Sequence, residues 1–260
     1  MESCEIGTIV IKIGGGVLDE LTDFWSLVRK INRPIIVVHG GGAQSTKLAN
    51  RLGHSPLIIQ GRRVTTDLDL AIAEWAMRGE VNVQLVSQAF AHGLEAVGLS
   101  GVDGSLIQVC KREPWILKEE VVDFGWVGEI ARVNNRVLTV LLDAGFLPIV
   151  APLGVDEAGQ CYNVNADTVA GAIAASIKAE TLLFVTKTGG LFQDHNQPNT
   201  LVKTCNATDV ANGLADGWVS GGMGVKLTVA QMAIKSGIGH VYILGPQDIM
   251  ERNRATRVVE

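Results

Sequence analysis

The sequence predicts an α/β fold built on a parallel sheet, and three observations carry that expectation. Short runs rich in Val, Ile and Leu recur along the 260 residues, and several end in a glycine turn that leads into a helical pattern. Thirty glycines against seven prolines suit many short strand-to-helix turns better than disorder. A hydrophobic content of 47% is enough for a large core, as one broad domain or as two lobes on a continuous sheet.

The first unit organises the rest. Ile9-Val10-Ile11-Lys12-Ile13 is an apolar strand interrupted by one lysine, and Gly14-Gly15-Gly16 then opens a helix expected over residues 17–31, apolar at 17, 21, 24, 25, 28 and 31. Glycine lets backbone N–H groups approach a bound anion, the helix start adds partial positive charge, and the lysine adds a full one, so phosphate is the natural guest. The turn does not have the G-x-x-x-x-G-K-[ST] form, and strand, turn and helix also occur together without a ligand. The design repeats where Ile35-Ile36-Val37-Val38 ends in His39-Gly40-Gly41-Gly42 and leads into a helix over 44–52. Two such turns at one edge of a parallel sheet face a single crevice. His39 is either a ligand or base, or a buried side chain bonded to backbone.

Residues 55–65 read as a hairpin flap around a glycine turn and carry the adjacent Arg62 and Arg63. A guanidinium fork is the usual partner of a carboxylate held in fixed orientation, and strand alternation sends the two arginines to opposite faces, so that only one points into the site. Thr66 is expected to cap a helix over 67–78, followed by a second over 81–92 with its apolar face at 81, 85, 86 and 89. A strand at 96–99, extended segments at 105–111 and 121–133 around a Pro114 turn, a helix over 135–144 and a buried strand at 147–152 complete the first half. Asn163, Asn165 and Asp167 then alternate, so an extended segment would aim all three one way before a helix over 169–178. Turn and cap bonding accounts for one such residue better than for three. A strand at 181–186 runs into Lys187-Thr188-Gly189-Gly190-Leu191-Phe192. A third glycine-rich turn from Ser220 to Lys226 puts a lysine at the start of a helix over 227–236, and 240–244 is the last strand expected.

Composition narrows the function. A formal charge of −5 gives no general attraction to nucleic acid or to an anionic membrane. Cys4, Cys110, Cys161 and Cys205 are far apart, which suggests neither a zinc site nor a disulfide framework, and a reducing cytoplasm fits. No targeting leader and no apolar run of the ~20 residues that span a bilayer is evident, so a soluble, cytoplasmic chain is expected. What remains is glycine turns, Lys12, Lys226, an arginine, two asparagines and an aspartate, with no metal-ligand cluster. Such a set supplies charge compensation rather than a nucleophile. Phosphoryl transfer asks for little else, and a carboxylate acceptor needs no general base because it is already ionised at neutral pH.

These residues resemble the amino-acid kinase family, and within it the branch that phosphorylates N-acylated glutamate. The resembling stretches are Val10-Ile11-Lys12-Ile13-Gly14-Gly15, Val38-His39-Gly40-Gly41-Gly42, Gly61-Arg62-Arg63-Val64-Thr65, Val97-Gly98-Leu99-Ser100-Gly101, Asn163-Val164-Asn165-Ala166-Asp167 and Gly222-Met223-Gly224-Val225-Lys226. Singly most are weak; in this order they are highly specific. The resemblance implies a three-layer αβα sandwich with a central, mainly parallel eight-stranded sheet. Residues 1–170 would form the acyl-amino-acid-binding and dimerisation lobe and 171–260 the nucleotide-binding lobe. It implies ATP-dependent phosphorylation of the side-chain carboxylate of N-acetyl-L-glutamate in arginine biosynthesis, with Mg2+ held mainly by the nucleotide.

By the same resemblance Lys12 and Lys226 stabilise the transferring phosphoryl group and Asp167 organises them, while Gly41, Gly42, Arg63, Asn163 and Asn165 line the acceptor side. Gly14, Gly15, Lys187, Thr188, Gly189, Gly190, Leu191, Phe192, Trp218, Val219 and Ser220 would serve the nucleotide. The family usually has aspartate where this chain has Lys187, and Asp123-Phe124-Gly125-Trp126-Val127-Gly128 resembles a subset that includes enzymes acting on succinylglutamate. The alternatives are a kinase for N-succinylglutamate or carrier-linked aminoadipate, a relative acting on carbamate, aspartate or a nucleoside monophosphate, and a silent ligand-sensing subunit. Arginine-inhibited members carry an extra helix ahead of the first strand. Eight residues precede Ile9 here, so the expectation is a homodimer that arginine does not inhibit, joined through first-half helices that include Trp75.

Overall fold

In the computed structural model, which describes residues 7–59, 62–117, 120–194 and 196–260, strand β1 (Ile9–Ile13) is buried along its whole length. The segment ahead of residue 7 with Cys4, and the Gln60-Gly61 turn of the flap, lie outside the described residues. The helix expected over 17–31 is broken into a 3₁₀ segment, Gly15–Glu20, and a short α1 (Phe24–Arg29). Leu18, Leu21 and Phe24 are three residues apart and all buried, a spacing that winding at three residues per turn satisfies. Strand β2 (Ile35–His39) pairs in parallel with β1 and leads through Gly40 and the N-cap Gly41 into α2 (Gly42–Arg51), which starts two residues earlier than expected. The flap is the antiparallel hairpin of β3 (Ile58–Ile59) and β4 (Arg62–Arg63).

Thr66 closes a capping box with Asp69 and starts α3 (Asp67–Ala73), as its sequence position suggested. The two helices expected next are one continuous rod, because α3 passes through a π-helical segment, Glu74–Val81, directly into α4 (Asn82–Ala91). Ala73, Met77, Val81, Leu85 and Ala89 are all buried at intervals of four residues. An ideal α-helix drifts by about 40° at each such step, and the wider π turn cancels part of that drift and keeps the stripe on the core. Gly79 is on the solvent side and ends nothing.

Further on come β5 (Ala96–Ser100), β6 (Ile107–Lys111), a hairpin of β7 (Trp115–Leu117) and β8 (Glu120–Val122), β9 (Gly128–Val133), α5 (Arg136–Asp143) and β10 (Leu147–Ala151). Pro114 stands just ahead of β7, and the link from β7 to β8 lies outside the described residues. The chain continues through β11 (Leu153–Val155), β12 (Cys161–Asn163), α6 (Ala166–Ser176), β13 (Thr181–Val185), β14 (Thr204–Cys205), α7 (Ala207–Ala215), α8 (Gly221–Lys235), β15 (His240–Leu244) and β16 (Thr256–Val258). β15 is not the last strand of the sheet. β16 runs antiparallel beside it and β14 pairs with β16; both are too short and too polar to stand out as strands.

The main sheet has eight strands in the order β14-β16-β15-β13-β1-β2-β10-β5, as the resemblance implied. Period-two alternation sorts its side chains into two layers. Val10, Ile36, Val38, Leu182 and Phe184 face α5, α6 and α8, whereas Ile9, Ile11, Ile13, Val37 and Leu183 face α1 and α4. That is the three-layer αβα sandwich. A second sheet, β12-β11-β6-β9, and the two hairpins bear on the carboxyl ends of the central strands. Thr65 and Gly125 join the flap to this roof; Gly125 has φ +67°, and a Cβ there would lie 2.2 Å from Thr65 O, so only glycine fits.

Candidate functional site

A lysine in a strand covered on both sheet faces must be paired, because an isolated buried ammonium is prohibitively costly. Lys12 is paired. Alternation along β1 turns it toward the α6 and α8 layer, where Asp167 stands in the first turn of α6 and Lys226 in the second turn of α8. Lys12 Nζ is 3.0 Å, and Lys226 Nζ 2.8 Å, from the same Asp167 Oδ1, with all three side chains buried. Burial opposes ionisation of Asp167, but the Lys12 and Lys226 ammonium groups outweigh it and hold the carboxyl below its usual range. Burial, with Lys12 repelling it, pushes Lys226 down to about 8 despite Asp167. Lys226 also lies 5.1 Å from the centre of the Phe184 ring. Two cations therefore share one carboxylate, and the cluster has spare positive charge to offer an anion.

Asn163, Asn165 and Asp167 do not share one extended face. Asn165 caps α6, accepting from Thr168 N at 3.0 Å, so the helix begins at Ala166 and carries Asp167 round toward the lysines. Cap formation by asparagine competes with the extended form and wins here. Asn163 ends β12 and donates to Thr65 Oγ1 at 3.3 Å. Asn163 and Asn165 border a cavity of about 410 Å³ that also takes in Lys12, Gly15, Gly16, Gly40, Gly41, Gly42, Arg62 and Arg63. The two glycine turns converge there as expected. A Cβ at position 40 would lie 3.0 Å from Gly15 N, so the turns approach more closely than a side chain ordinarily allows.

Both flap arginines reach this cavity, which corrects the expectation that only one would. β4 is two residues long, and at the rim of an opening two long side chains can curl inward from opposite faces. Arg63 is anchored: Nη2 is 2.6 Å from Thr46 Oγ1 and 3.3 Å from Gly42 O, and Nη1 is 3.5 Å from Asp69 Oδ1. Burial raises the Asp69 carboxyl, but hydrogen bonds from the Thr66 hydroxyl, His54 and the Thr66 N–H outweigh this and keep it ionised below its usual range. Arg62 lies 4.5 Å over the Trp115 ring, and Arg112 is 5.6 Å from the same ring while pairing with Glu129 at 3.0 Å. Among the described residues the cavity is lined by Lys12, Arg62, Arg63 and Arg112 and by no carboxylate, in a chain of net charge −5. Arg112 was not legible as a site residue, since nothing local to Lys111-Arg112-Glu113 marks it.

A second opening of about 390 Å³ lies at the carboxyl ends of β13 and β15. Lys187, Thr188, Gly189 and Phe192 border it together with Gly245, Pro246, Gln247, Asp248 and Arg254, none of the last five expected. Lys187 is exposed and pairs with Glu20 at 2.8 Å, which raises its pKa. Gly190 and Leu191 are not in its lining; Leu191 is fully buried, and Leu191 N donates to Thr256 Oγ1. Trp218, Val219 and Ser220 lead into α8, with Trp218 packed near Gly213, and line neither opening. Gly14 N donates to Val185 O at 2.9 Å, tying the first turn to β13, while Gly15 lines the larger cavity.

Comparison with known proteins agrees with this geometry. The model of the amino acid kinase family matches residues 7–245. An acetylglutamate kinase of Methanopyrus kandleri is 42% identical over 242 residues, 93% of this chain and 96% of that protein. An acetylglutamate kinase of Geobacillus kaustophilus is 39% identical over 253 residues, 95% of this chain and 93% of that protein. The crystal structure of smu.665 from Streptococcus mutans superimposes with a TM-score of 0.81 at 26% identity, covering 91% of this chain and 94% of that one. The carbamate kinase of Giardia superimposes with a TM-score of 0.69 at 13% identity over 98% and 99% of the two chains, a likeness of fold alone.

Proposed function

This chain belongs to the amino acid kinase family, and from that premise we propose that it transfers the γ-phosphoryl group of ATP to the side-chain carboxylate of N-acetyl-L-glutamate, a step of arginine biosynthesis. The observation that carries the proposal is the buried Lys12–Asp167–Lys226 cluster beside two abutting glycine turns. An acceptor carboxylate oxygen attacks the γ-phosphorus, the bond from phosphorus to the β,γ-bridging oxygen breaks, and acyl phosphate and ADP result. The obstacle is repulsion between two anions. Lys12 and Lys226 offset it from one side, the backbone N–H groups of the turns from the other, and Asp167 keeps the ammonium groups aimed.

Arg63 and Asn163 with Asn165 would hold the α-carboxylate and the acyl amide, with Gly41 and Gly42 where the acceptor and the transferring phosphoryl group meet. The opening beside Lys187, Thr188, Gly189 and Phe192 would take the nucleotide, so that residues 1–170 serve the acceptor and 171–260 the nucleotide. Mg2+ would arrive on the ATP phosphates and lower their charge; among the described residues no three His, Cys, Asp or Glu side chains gather to hold a metal. No helix among the described residues is long and apolar enough to cross a membrane. A cytoplasmic homodimer completes the proposal, supported by exposed Trp75, Val83 and Phe90 on the α3–α4 rod.

The test is ADP release with hydroxylamine trapping of acyl phosphate, comparing N-acetylglutamate, N-succinylglutamate, glutamate and aminoadipate. Trapped product with N-acetylglutamate supports the proposal, and ATP turnover with none of the four removes it. One observation favours a second reading. Arg62 has no carboxylate partner among the described residues, and it shares Trp115 with Arg112 at the cavity edge. N-acetylglutamate has two carboxylates, for the lysine end and for Arg63; the spare guanidinium would suit an acyl group ending in a third, as in N-succinylglutamate.

A further inference from the structure

His39 closes β2 with a fully buried imidazole, and both ring nitrogens are engaged. Nδ1 is 2.9 Å from Gly40 O, and Nε2 is 3.1 Å from the side-chain nitrogen of Asn82, the equally buried first residue of α4. The other neighbours of Asn82 fix which way its amide points. Its nitrogen faces the carbonyl oxygens of Ile149 at 2.8 Å and Leu99 at 3.4 Å, which only accept, and its oxygen meets Arg78 Nη1 at 3.1 Å, which only donates. Nε2 thus faces a donor and must present its lone pair. Burial lowers the His39 pKa to about 4, so the ring is neutral and its single proton sits on Nδ1, donated to Gly40 O.

The peptide between Gly40 and Gly41 is trans, and a trans peptide points its C=O and its N–H to opposite sides. The Gly40 carbonyl turns inward to His39, so the Gly41 N–H turns outward to the cavity that both glycines line. We infer that Asn82 is a positioning residue: by fixing the tautomer of His39 it locks the Gly40–Gly41 peptide with its N–H aimed where the transferring phosphoryl group sits. With the proton on Nε2 instead, two lone pairs would oppose each other at Nδ1 and Gly40 O, and the peptide would rotate away. The role of the N–H rests on the kinase reading; the lock itself does not.

Nitrogen NMR of the intact protein labelled with 15N-histidine reads the tautomer directly, with His39→Gln supplying the assignment. The Nδ1–H form of His39 at neutral pH is the expected result, and the Nε2–H form or an imidazolium overturns the inference. Kinetics add a contrast a general structural role would not give. Asparagine at 39 puts its amide nitrogen where Nδ1 stands and glutamine where Nε2 stands. His39→Asn should keep kcat within about threefold while His39→Gln loses about tenfold or more, with acceptor KM little changed in both. Equal losses overturn the proposal. Asn82→Asp places an acceptor against Nε2, so it should move the proton there and lower kcat together, and should add little in the His39→Asn background. If variants fail to fold, the wild-type spectrum still decides. An Nδ1–H spectrum from a protein that phosphorylates no acylglutamate would remove the kinase reading and leave the lock standing.

Discussion

Lys12 and Lys226 approach the same oxygen from different elements, and neither can replace the other's direction of approach. Lys12→Ala and Lys226→Ala are each expected to lower kcat by about 10²–10³ while changing acceptor KM far less, which steady-state assays with saturating ATP measure. Their protonation gives a second expectation. Lys226 titrates at about 8, so kcat/KM should fall as pH rises through that value, and Lys226→Arg should move the limb upward because a guanidinium keeps its charge. Stability should run the other way. Between about 8 and 10.5 the unfolded chain holds the Lys226 proton that the native protein has released, so this group makes stability rise with pH, and loss of rate there without loss of melting temperature separates the two. At the flap, Arg63→Lys should raise acceptor KM about tenfold, since a point charge cannot keep the Thr46, Gly42 and Asp69 contacts together with a carboxylate; Arg62→Lys should leave N-acetylglutamate kinetics nearly unchanged.

The glycine turns and the long rod behave as elements. Gly40→Ala should lower kcat and stability together, because its Cβ can be accommodated only by moving β1's turn away from β2's. Gly79→Ala should raise stability by up to about 1 kcal/mol, as its Cβ would meet nothing within 4 Å and alanine prefers the helical state; thermal melts of both variants check the pair. What was legible in the chain follows the same division. The strand interrupted by Lys12, the repeated glycine turns and the Thr66 cap are local signals with local causes, and they were readable. The break at residues 21–23 and the π segment were not, because each keeps an apolar stripe on a core that exists only after packing. Asp167 was singled out on the wrong geometry: the alternation marked it, yet the cap at Asn165 is what delivers it to the lysines. Arg112 and the Gly245–Asp248 turn enter their openings only through tertiary contacts, which no periodicity encodes.

At the scale of the molecule, the apolar surface on the α3–α4 rod is the exposed feature with the plainest consequence. Trp75, Val83 and Phe90 are 55%, 59% and 78% exposed along this one rod, and a second copy packed on it would take their apolar area out of water. If the proposed homodimer forms through this face, Phe90→Asp should shift it toward monomer in light scattering at micromolar concentration; a wild-type monomer removes the homodimer, and a dimer unchanged by the substitution removes this face from it.

The central position of β1 bears on how such a molecule comes into being. Its neighbour β2 follows within a few turns of chain, but its other neighbour, β13, pairs Thr181 with Ile9 and is synthesised long afterward. Such a pairing is slow, since the loop must close before any contact rewards it. A growing polypeptide thus carries an apolar strand with one edge open, and with its lysine still in water, until two-thirds of the chain has been made. The Lys12 ammonium reaches its buried partner Asp167 only after that pairing, so recovery of catalysis on refolding should lag the formation of helices, and chaperone capture should be strongest for nascent chains that end before Thr181.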